Sequence, residues 1–210
     1  MPESIPDSAR ASNEGAVAGV VLAAGMSTRM GRNKLLLDLA GEPLVQRTVR
    51  FALEAGLSPV VVVLGHEAAD VEKAIGDASH RAVFNERYAD SPLFSLQCGI
   101  RSVPEECAGA VVLLGDMPFV TREMLREISL KGRDGSGAPL VVSRYGDVQA
   151  PPTFYSSLLF EEIHGLASGC GKKFVEQHLK DAAVLSWPPE LLADVDVADD
   201  YERARAALAR

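Results

Sequence analysis

The fold of this chain is decided by residues 19–34, GVVLAAGMSTRMGRNK. The stretch begins as an apolar strand and continues into a loop of small residues around Gly25. Small side chains and glycine let the backbone approach a ligand closely and direct consecutive N–H groups at one anion. Arg29 and Lys34 add two cations to the same loop. The stretch therefore predicts a strand that leads into a binding loop for a polyphosphate.

Two commoner phosphate-binding motifs do not fit this loop. Gly25 and Gly31 are followed by Arg32 rather than by the Lys-Ser or Lys-Thr pair of a P-loop. Residues 23–25, AAG, supply no G-x-G-x-x-G for a dinucleotide. An ordinary glycine-rich turn between a strand and a helix is the remaining alternative.

Short aliphatic runs recur along the chain and are separated by helical patterns. Each run is almost continuously apolar, which is typical of a parallel sheet buried on both faces. Right-handed crossovers then place ligands near the carboxyl ends of the strands. We therefore expect an α/β, three-layer Rossmann-like fold, with a mostly parallel sheet and helices on both faces. The predicted strands are residues 16–22, 60–64, 82–84, 110–114 and 140–143.

Helices are predicted in the intervals between these strands and after the last of them. Thr121 is a typical helix cap, and Pro43 suits a first helical position. Residues 145–152, with Gly146 and two prolines, are interpreted as a loop inserted after the fifth strand that would cover a substrate. The predicted helices are residues 43–55, 67–75, 94–101, 121–130, 156–166, 171–180 and 198–208.

The composition is that of a globular protein. The length of 210 residues suits one domain, and 47% hydrophobic with 24% charged residues argues against a disordered or fibrous chain. Residues 1–14 are rich in small, proline and acidic residues without periodicity. We expect a flexible N-terminal leader over residues 1–15 and a single domain over residues 16–210.

Charge and cysteine content exclude several classes of function. A net charge of −8 leaves no basic surface for nucleic acid or for an anionic membrane. The sequence has no apolar run of membrane-spanning length and no signal-peptide pattern in residues 1–14, so we expect a cytoplasmic protein. Cys98, Cys107 and Cys170 form no C-x-x-C pair, which disfavours a disulfide framework and a structural zinc site.

A second candidate site follows the predicted strand at 110–114. The chain continues there as Gly115-Asp116-Met117-Pro118, which places a carboxylate at the carboxyl tip of the strand. Mg²⁺ prefers hard oxygen ligands and is usually held by one or two carboxylates together with substrate phosphates. Asp116 is therefore a candidate magnesium ligand, and an Asx turn before Pro118 is the alternative.

The segment from Leu22 to Lys34 resembles the fingerprint L-A-A-G-x-S-x-R-M-G-x-x-K of the MobA-like nucleotidyltransferase family, with every fixed position present. The resemblance implies transfer of a nucleoside monophosphate from a nucleoside triphosphate to a phosphorylated acceptor, with release of pyrophosphate. It also implies catalytic roles for Lys34, Arg29 and Asp116, with Asp116 as a metal ligand. The nucleotide-binding residues that it implies are Leu22, Ala23, Ala24, Gly25, Ser27, Arg29 and Lys34.

The same resemblance extends to later segments. Residues 194–201, DVDVADDY, are similar to an acidic segment of the family, which implies that Asp196 and Asp194 complete the metal site. In an extended segment these two side chains point the same way. Residues 85–96 resemble a segment next to the base and ribose, so Ser95 is a nucleotide-binding candidate. A serine near a helix start is most often a cap, which is the alternative.

Residues 169–173, GCGKK, resemble a glycine-lysine turn that flanks the acceptor in molybdenum cofactor cytidylyltransferases. Lys172 and Lys173 are therefore candidate ligands of an acceptor phosphate. An exposed lysine pair without a ligand is the alternative, because exposure is the usual state of lysine.

The base is indicated by one position of the loop. Relatives that transfer guanylyl groups resemble L-A-G-G, and relatives that transfer cytidylyl groups resemble L-A-A-G, as here with Ala24. A methyl at this position narrows the slot for the base. The resemblance thus predicts CTP as donor, molybdopterin or the molybdenum cofactor as acceptor, Mg²⁺ as cofactor and a molybdenum hydroxylase apoenzyme or its chaperone as partner.

Two alternatives remain open at this point. One is a nucleotidyltransferase that uses GTP, or a sugar or alcohol phosphate as acceptor. The other is a carrier that keeps the fold and passes on molybdopterin without catalysis. Loss of Lys34 or Asp116 would favour the carrier, and both residues are present.

Overall fold

A mixed sheet forms the centre of the computed structural model, which describes residues 15–27, 31–167, 171–192 and 198–208. Its strands are β1 (Val17–Ala23), β4 (Val60–Leu64), β5 (Arg81–Phe84), β6 (Gly109–Leu114), β7 (Leu140–Tyr145), β8 (Val148–Ser156) and β9 (Ala183–Trp187). The short strands β2 (Asp38–Leu39) and β3 (Glu42–Pro43) form a separate hairpin. The strand order of the sheet is β5-β4-β1-β6-β8-β7-β9.

Most neighbours in the sheet run parallel. Strand β1 lies between β4 and β6 and is parallel to both, and β5 is parallel to β4. Strand β8 is antiparallel to β6 and β7, whereas β9 is parallel to β7. The carboxyl ends of β1, β4, β5, β6 and β7 therefore meet at one edge, which we call the carboxyl edge. The prediction of a mostly parallel sheet is confirmed.

Helices cover both faces of the sheet. One layer contains α1 (Leu44–Glu54), α2 (Ala68–Ile75) and α4 (Arg122–Gly132), and the opposite layer contains α3 (Pro92–Arg101), α5 (Phe160–Gly165) and α6 (Gly171–His178). Helix α7 (Ala198–Leu208) packs on β2. In the part of the chain that the structure describes, no helix has the length and apolarity needed to cross a bilayer.

The near-continuous apolar character of the strands follows from this layering. In β1, Val17 and Val21 face the α1 layer, while Ala18 and Val20 face the α3 layer, and all four are buried. A fully buried valine contributes about 1.5–3 kcal/mol of hydrophobic free energy, so both faces stabilise the sheet. Helix α3 approaches β1 closely, because an ideal Cβ on Gly99 would lie 2.4 Å from Cγ1 of Val20.

The predicted loop at residues 145–152 is wrong, because these residues form the turn and start of a hairpin. Tyr145 pairs with Val148 across a tight turn in which Gly146 has a φ of 60°. The ladder then shifts register, with Val142 opposite Thr153 and Ser143 opposite Ala150. Both prolines of the segment therefore fall in an irregularity of the ladder, where a strand tolerates a residue without an N–H donor.

The predicted helices are present, most of them with shifted ends, and α7 has the bounds predicted for it. Helix α1 begins at Leu44 and Pro43 precedes it, so the prediction that Pro43 is the first helical residue is wrong by one position. Helix α3 begins at Pro92, earlier than predicted, since Ser91 caps it and proline is preorganised for a first turn. Thr121 caps α4 as predicted and accepts a hydrogen bond of 3.2 Å from the Met124 amide. The predicted strands omit β2, β3, β8 and β9.

Candidate active site

The loop after β1 starts at the middle of the carboxyl edge. The Leu22 carbonyl accepts a hydrogen bond of 3.0 Å from the Gly115 amide, which joins β1 to the end of β6. The Ala24 carbonyl accepts one of 3.3 Å from the His66 amide, which joins the loop to the end of β4. An ideal Cβ on Gly25 would meet no described atom within 4 Å, so crowding does not account for this glycine. Its position instead leaves open space beside the backbone.

Lys34 and Asp116 meet at this point. The Nζ atom of Lys34 forms an ion pair with Oδ2 of Asp116, and the two side chains are 16% and 15% exposed. The Lys34 amide also donates a hydrogen bond of 3.2 Å to Oγ of Ser27. The fold thus brings together three residues that the sequence predicts for one site. Ser27 reaches this position with a φ of 48°, in the left-handed region that non-glycine residues seldom adopt.

The backbone on both sides of the ion pair is fixed by packing and hydrogen bonds. Asn33 caps the single 3₁₀ turn Lys34–Leu36, with its Oδ1 accepting from the Leu35 amide at 3.1 Å. Leu35 is buried and lies against Gly115, where an ideal Cβ would be 3.0 Å from its Cδ2. The Thr48 hydroxyl donates to the Gly115 carbonyl at 3.3 Å. Each charged group is therefore held by its own neighbours as well as by its partner.

Asp116 fits a metal that arrives with a nucleotide. Its carboxylate is a hard oxygen donor at the tip of β6, and Mg²⁺ commonly takes one or two such ligands together with phosphate oxygens. The described residues contain no group of three or more His, Cys, Asp or Glu able to hold a metal ion. Asp194 and Asp196, the other predicted ligands, lie outside the described residues, as does Arg29.

Ser95 belongs to the interior of α3. The cap of that helix is Ser91, whose Oγ accepts a hydrogen bond of 3.2 Å from the Leu93 amide, so the interpretation of Ser95 as a cap is wrong. Ser95 is buried and accepts a hydrogen bond of 3.0 Å from Nδ2 of Asn85. The backbone N–H of Asn85 in turn donates to the Leu64 carbonyl at 2.9 Å. Ser95 thereby holds the loop that follows β5 at the carboxyl edge.

Lys172 and Lys173 lie on the first turn of α6 and are exposed. Gly171 connects this turn to α3, because an ideal Cβ there would lie 3.4 Å from Cδ2 of Leu96. The described contacts thus place the lysine pair beside α3 and give it no contact with Lys34 or Asp116. Its predicted role toward an acceptor stays a prediction.

The hairpin of β7 and β8 is a part of the carboxyl edge that the sequence did not predict. Oγ of Ser143 donates to the Pro152 carbonyl at 2.7 Å, and the Tyr145 hydroxyl donates to the Pro151 carbonyl at 3.0 Å. These bonds brace the hairpin internally, and the pairing of β8 with β6 places it next to the strand that precedes Asp116. The sequence feature that could have indicated this hairpin is a serine and a tyrosine, Ser143 and Tyr145, two residues apart at the end of a strand.

The described cysteines have no part in this site. Cys107 is buried, and burial raises the pKa of its thiol. Burial likewise raises the pKa of the Cys98 thiol. A raised pKa leaves less of the reactive thiolate at neutral pH.

The chain is similar to known proteins over most of its length. The chain matches the model of the MobA-like NTP transferase domain over residues 19–183. It is 31% identical over 202 residues to the purine catabolism protein PucB of Bacillus subtilis, covering 90% of this chain and 96% of PucB. It is 38% identical over 138 residues to a probable molybdenum cofactor guanylyltransferase of Opitutus terrae, covering 64% of this chain and 63% of that relative.

Solved structures share the same fold. The crystal structure of Rv0371c from Mycobacterium tuberculosis H37Rv aligns with a TM-score of 0.79 at 29% identity, covering 91% of this chain and 98% of that one. Rv0371c has also been solved as a complex with manganese. The matched family model covers most of the sheet and both elements that meet at the ion pair, Lys34 and Asp116. The chain therefore belongs to the MobA-like NTP transferase family and is a nucleotidyltransferase.

Proposed function

We propose that this chain transfers the cytidylyl group of CTP to the phosphate of molybdopterin or of the molybdenum cofactor and releases pyrophosphate. The observation that carries the proposal is the ion pair between Lys34 and Asp116 at the carboxyl edge. This pair places a cation that would bind the triphosphate next to a carboxylate that would bind the metal ion of the nucleotide. The guanylyltransferase relative supports an acceptor of the molybdenum cofactor type.

The reaction needs positioning and charge neutralisation rather than a general base. An oxygen of the acceptor phosphate, already ionised at neutral pH, attacks the α-phosphorus of CTP. The bond from that phosphorus to the bridging oxygen breaks, and pyrophosphate leaves with the electron pair. Holding the two phosphates in line and offsetting their negative charge supplies the main catalytic effect.

Lys34 and Asp116 separate when the nucleotide binds. The Lys34 ammonium donates to oxygens of the triphosphate and offsets the charge that grows on the leaving pyrophosphate. Asp116 would hold a Mg²⁺ ion, which would supply positive charge to the reacting phosphates. We assign the amides of residues 23–27 to the same phosphates, and Arg29 is the second cation that we assign to the triphosphate.

The base is assigned to the side of the loop where Ala24 lies. The Ala24 side chain is 4% exposed and belongs to the core on the α3 side of the sheet. Its methyl therefore acts on the base through the neighbours that it supports. A difference of one methyl in a pocket is worth about 1–3 kcal/mol of selectivity, so other contacts must contribute.

The acceptor is assigned to the opposite side of Asp116. The β7–β8 hairpin lies there next to β6, and the hydrogen bonds within it make it a rigid support beside the acceptor. Lys172 and Lys173 are the cations that we assign to the acceptor phosphate. We further propose that the product passes to a molybdenum hydroxylase apoenzyme or to its chaperone.

Pyrophosphate release tests this proposal. The protein is assayed with Mg²⁺, with each of CTP, GTP, ATP and UTP as donor, and with molybdopterin or a sugar phosphate as acceptor. We expect the highest kcat/KM for CTP with molybdopterin. Release with CTP only on the sugar phosphate would refute the acceptor, and absence of release with any pair would support a non-catalytic carrier.

GTP is the second candidate donor, because the Opitutus terrae relative is a guanylyltransferase by name. A higher kcat/KM for GTP than for CTP in the same assay would establish it. The acceptor and the roles of Lys34 and Asp116 would stand unchanged.

A further inference from the structure

The strand order leaves one side of the carboxyl edge for the base. Lys34 and Asp116 mark the position of the triphosphate, between the ends of β1 and β6. On the β6 side the next element is the β7–β8 hairpin, and on the β1 side the next strands are β4 and β5. A nucleotide whose acceptor comes from the hairpin side must extend its base toward β4 and β5.

Tyr88 is seated directly on the ends of β1 and β4. An ideal Cβ on Gly65 would lie 2.6 Å from Cβ and from Cγ of Tyr88 and 2.8 Å from Cβ of Ala24. Cβ and Cγ of Tyr88 and the methyl of Ala24 therefore all lie close to the backbone of Gly65, which has no side chain. Any side chain at position 65 would push Tyr88 away, so this glycine allows the close approach.

His66 adds a second ring beside Tyr88. Its ring centroid lies 6.4 Å from that of Tyr88, with the two planes tilted by 41°. The His66 side chain is 38% exposed, and its amide is bonded to the Ala24 carbonyl in the loop after β1. Two partly exposed rings thus stand next to the nucleotide loop, on the side that the strand order leaves for the base.

Neighbouring groups fix the position of Tyr88. Its amide donates to the Asn85 carbonyl at 3.2 Å, and Asn85 is anchored by Ser95 and by Leu64. On the other side the ring of Phe84 meets it edge to face, with centroids 6.4 Å apart. The Tyr88 ring is therefore preorganised before any ligand binds, which lowers the entropic cost of contact.

We infer that Tyr88, seated on Gly65 with His66 beside it, forms the wall that the nucleobase contacts, and that Tyr88 determines base affinity. The inference rests on the proposed function, since it requires a nucleotide on the Lys34–Asp116 pair. Aromatic rings stack on nucleobases, whose faces are flat and polarisable. Because Ala24 and Tyr88 both pack on Gly65, the methyl of Ala24 helps to fix the position of the Tyr88 ring.

Calorimetric binding with Mg²⁺ separates base contact from phosphate contact. The ligands are CTP, GTP and inorganic tripolyphosphate, which carries the charge without a base. Tyr88→Phe keeps the ring, and Tyr88→Leu keeps an apolar side chain on Gly65 but removes the aromatic face. Phe51→Leu is the matched control, because Phe51 is a half-buried ring on α1, in the layer opposite the one on which Tyr88 packs.

We expect Tyr88→Leu to weaken CTP binding about tenfold and to leave tripolyphosphate binding unchanged, given the usual effect of losing one base stack. Tyr88→Phe and Phe51→Leu should both stay within about twofold of the wild type. In turnover, the Tyr88→Leu change should appear in KM for CTP and not in kcat. A structural role alone would weaken both ligands together, and that result, or equal CTP affinity in all variants, overturns the inference.

The same data distinguish this inference from the donor assignment. If the wild type binds GTP more tightly than CTP, the donor in the proposed function is wrong, while a tenfold loss of GTP affinity in Tyr88→Leu still supports the wall. If CTP binds and Tyr88→Leu has no base-dependent effect, the wall alone is wrong. If the wild type binds no nucleotide, both are wrong.

Discussion

At the scale of single residues, the proposed chemistry depends on Lys34 and Asp116. The sequence predicted both, together with Ser27, because they occupy fixed positions of a loop motif and a strand end. Their contact could not be predicted, since it depends on β1 and β6 being neighbours in register. The contact between Tyr88 and Gly65 could not be predicted for the same reason, because residues far apart in the chain meet only in the folded protein.

Lys34→Met should reduce kcat/KM for pyrophosphate release by about 10²–10³-fold, because a positioned charge on a developing anion has that effect. The methionine keeps the length of the side chain, so we expect a thermal transition close to that of the wild type. Steady-state kinetics and thermal denaturation measure the two effects. Lys180→Met, at a lysine whose side chain is 82% exposed, is the matched control and should leave both unchanged. Full turnover in Lys34→Met would contradict the role of this lysine.

Asp116→Asn should abolish metal-dependent turnover while leaving the fold intact, since the amide has nearly the same shape and carries no charge. Mn²⁺ binding in the presence of CTP, followed by electron paramagnetic resonance, should weaken at least tenfold, as expected when a carboxylate ligand is lost. Asp77→Asn, at an exposed aspartate just after α2, should bind Mn²⁺ as the wild type does. Unchanged Mn²⁺ binding in Asp116→Asn would remove this carboxylate from the metal site.

At the scale of elements, the strands with continuous apolar runs were predicted to within a few residues, and β4 was predicted at its observed bounds. Strand β8 was missed because Gly146 and two prolines are typical of a loop, and only the register shift shows how the ladder accommodates them. Strand β9 is an edge strand of half-buried and exposed residues, and its apolar run, residues 183–185, is shorter than those of β1, β4 and β6.

The β2–β3 hairpin is tied to α1 by a cluster of charges that should make stability depend on pH. Glu42 accepts hydrogen bonds from Arg50 at 2.6 and 3.1 Å and from Arg47 at 3.3 Å. Burial raises the pKa of Glu42, but the bonds and charges of Arg50 and Arg47 outweigh it and hold that pKa below its ordinary value of 4.5. The cluster therefore stabilises the fold above pH 4.5, and this stabilisation is lost as pH falls through the lowered pKa.

Glu42→Gln should accordingly lower the free energy of unfolding by about 1 kcal/mol at pH 7, given the worth of partly exposed charged hydrogen bonds. The difference from the wild type should shrink as the pH is lowered below 4.5, where Glu42 of the wild type becomes protonated. Urea unfolding at several pH values measures it. Glu176→Gln, at an exposed position on α6, should show no such difference. A pH-independent effect of Glu42→Gln would rule out the charge cluster as its cause.

The close approach of α3 to β1 gives a second prediction for elements. An ideal Cβ on Gly99 would lie 2.4 Å from Cγ1 of Val20 and 3.0 Å from Cγ2 of Val63. Gly99→Ala should therefore force the helix and sheet apart and destabilise the fold by about 1–3 kcal/mol in denaturant unfolding, as overpacking does. Gly165→Ala is the control, since an ideal Cβ there meets no described atom within 4 Å. Equal free energies of unfolding for the two variants would show that the core accommodates the added methyl without loss of stability.

At the scale of the whole molecule, one edge of the sheet carries the functional groups and the layers beneath it hold them in place. A fold of this kind does not itself determine which nucleotide and acceptor are used, because those depend on the loops at the edge. The chain carries a net charge of −8, so an anionic nucleotide must meet a local group of cations. The family and the fold class could be predicted from one loop motif and the apolar runs. The arrangement of the loops after β4, β5 and β7 could not, because it follows from contacts across the folded sheet.

A crystal structure of this protein with Mg²⁺ and α,β-methylene CTP, which cannot be cleaved at the reacting bond, would show directly whether Lys34 and Asp116 bind one nucleotide. We expect the triphosphate between the loop after β1 and the tip of β6, with Lys34 on its oxygens and Asp116 on the metal ion. A nucleotide bound elsewhere, with the Lys34–Asp116 ion pair still intact, would contradict the proposed roles of these two residues.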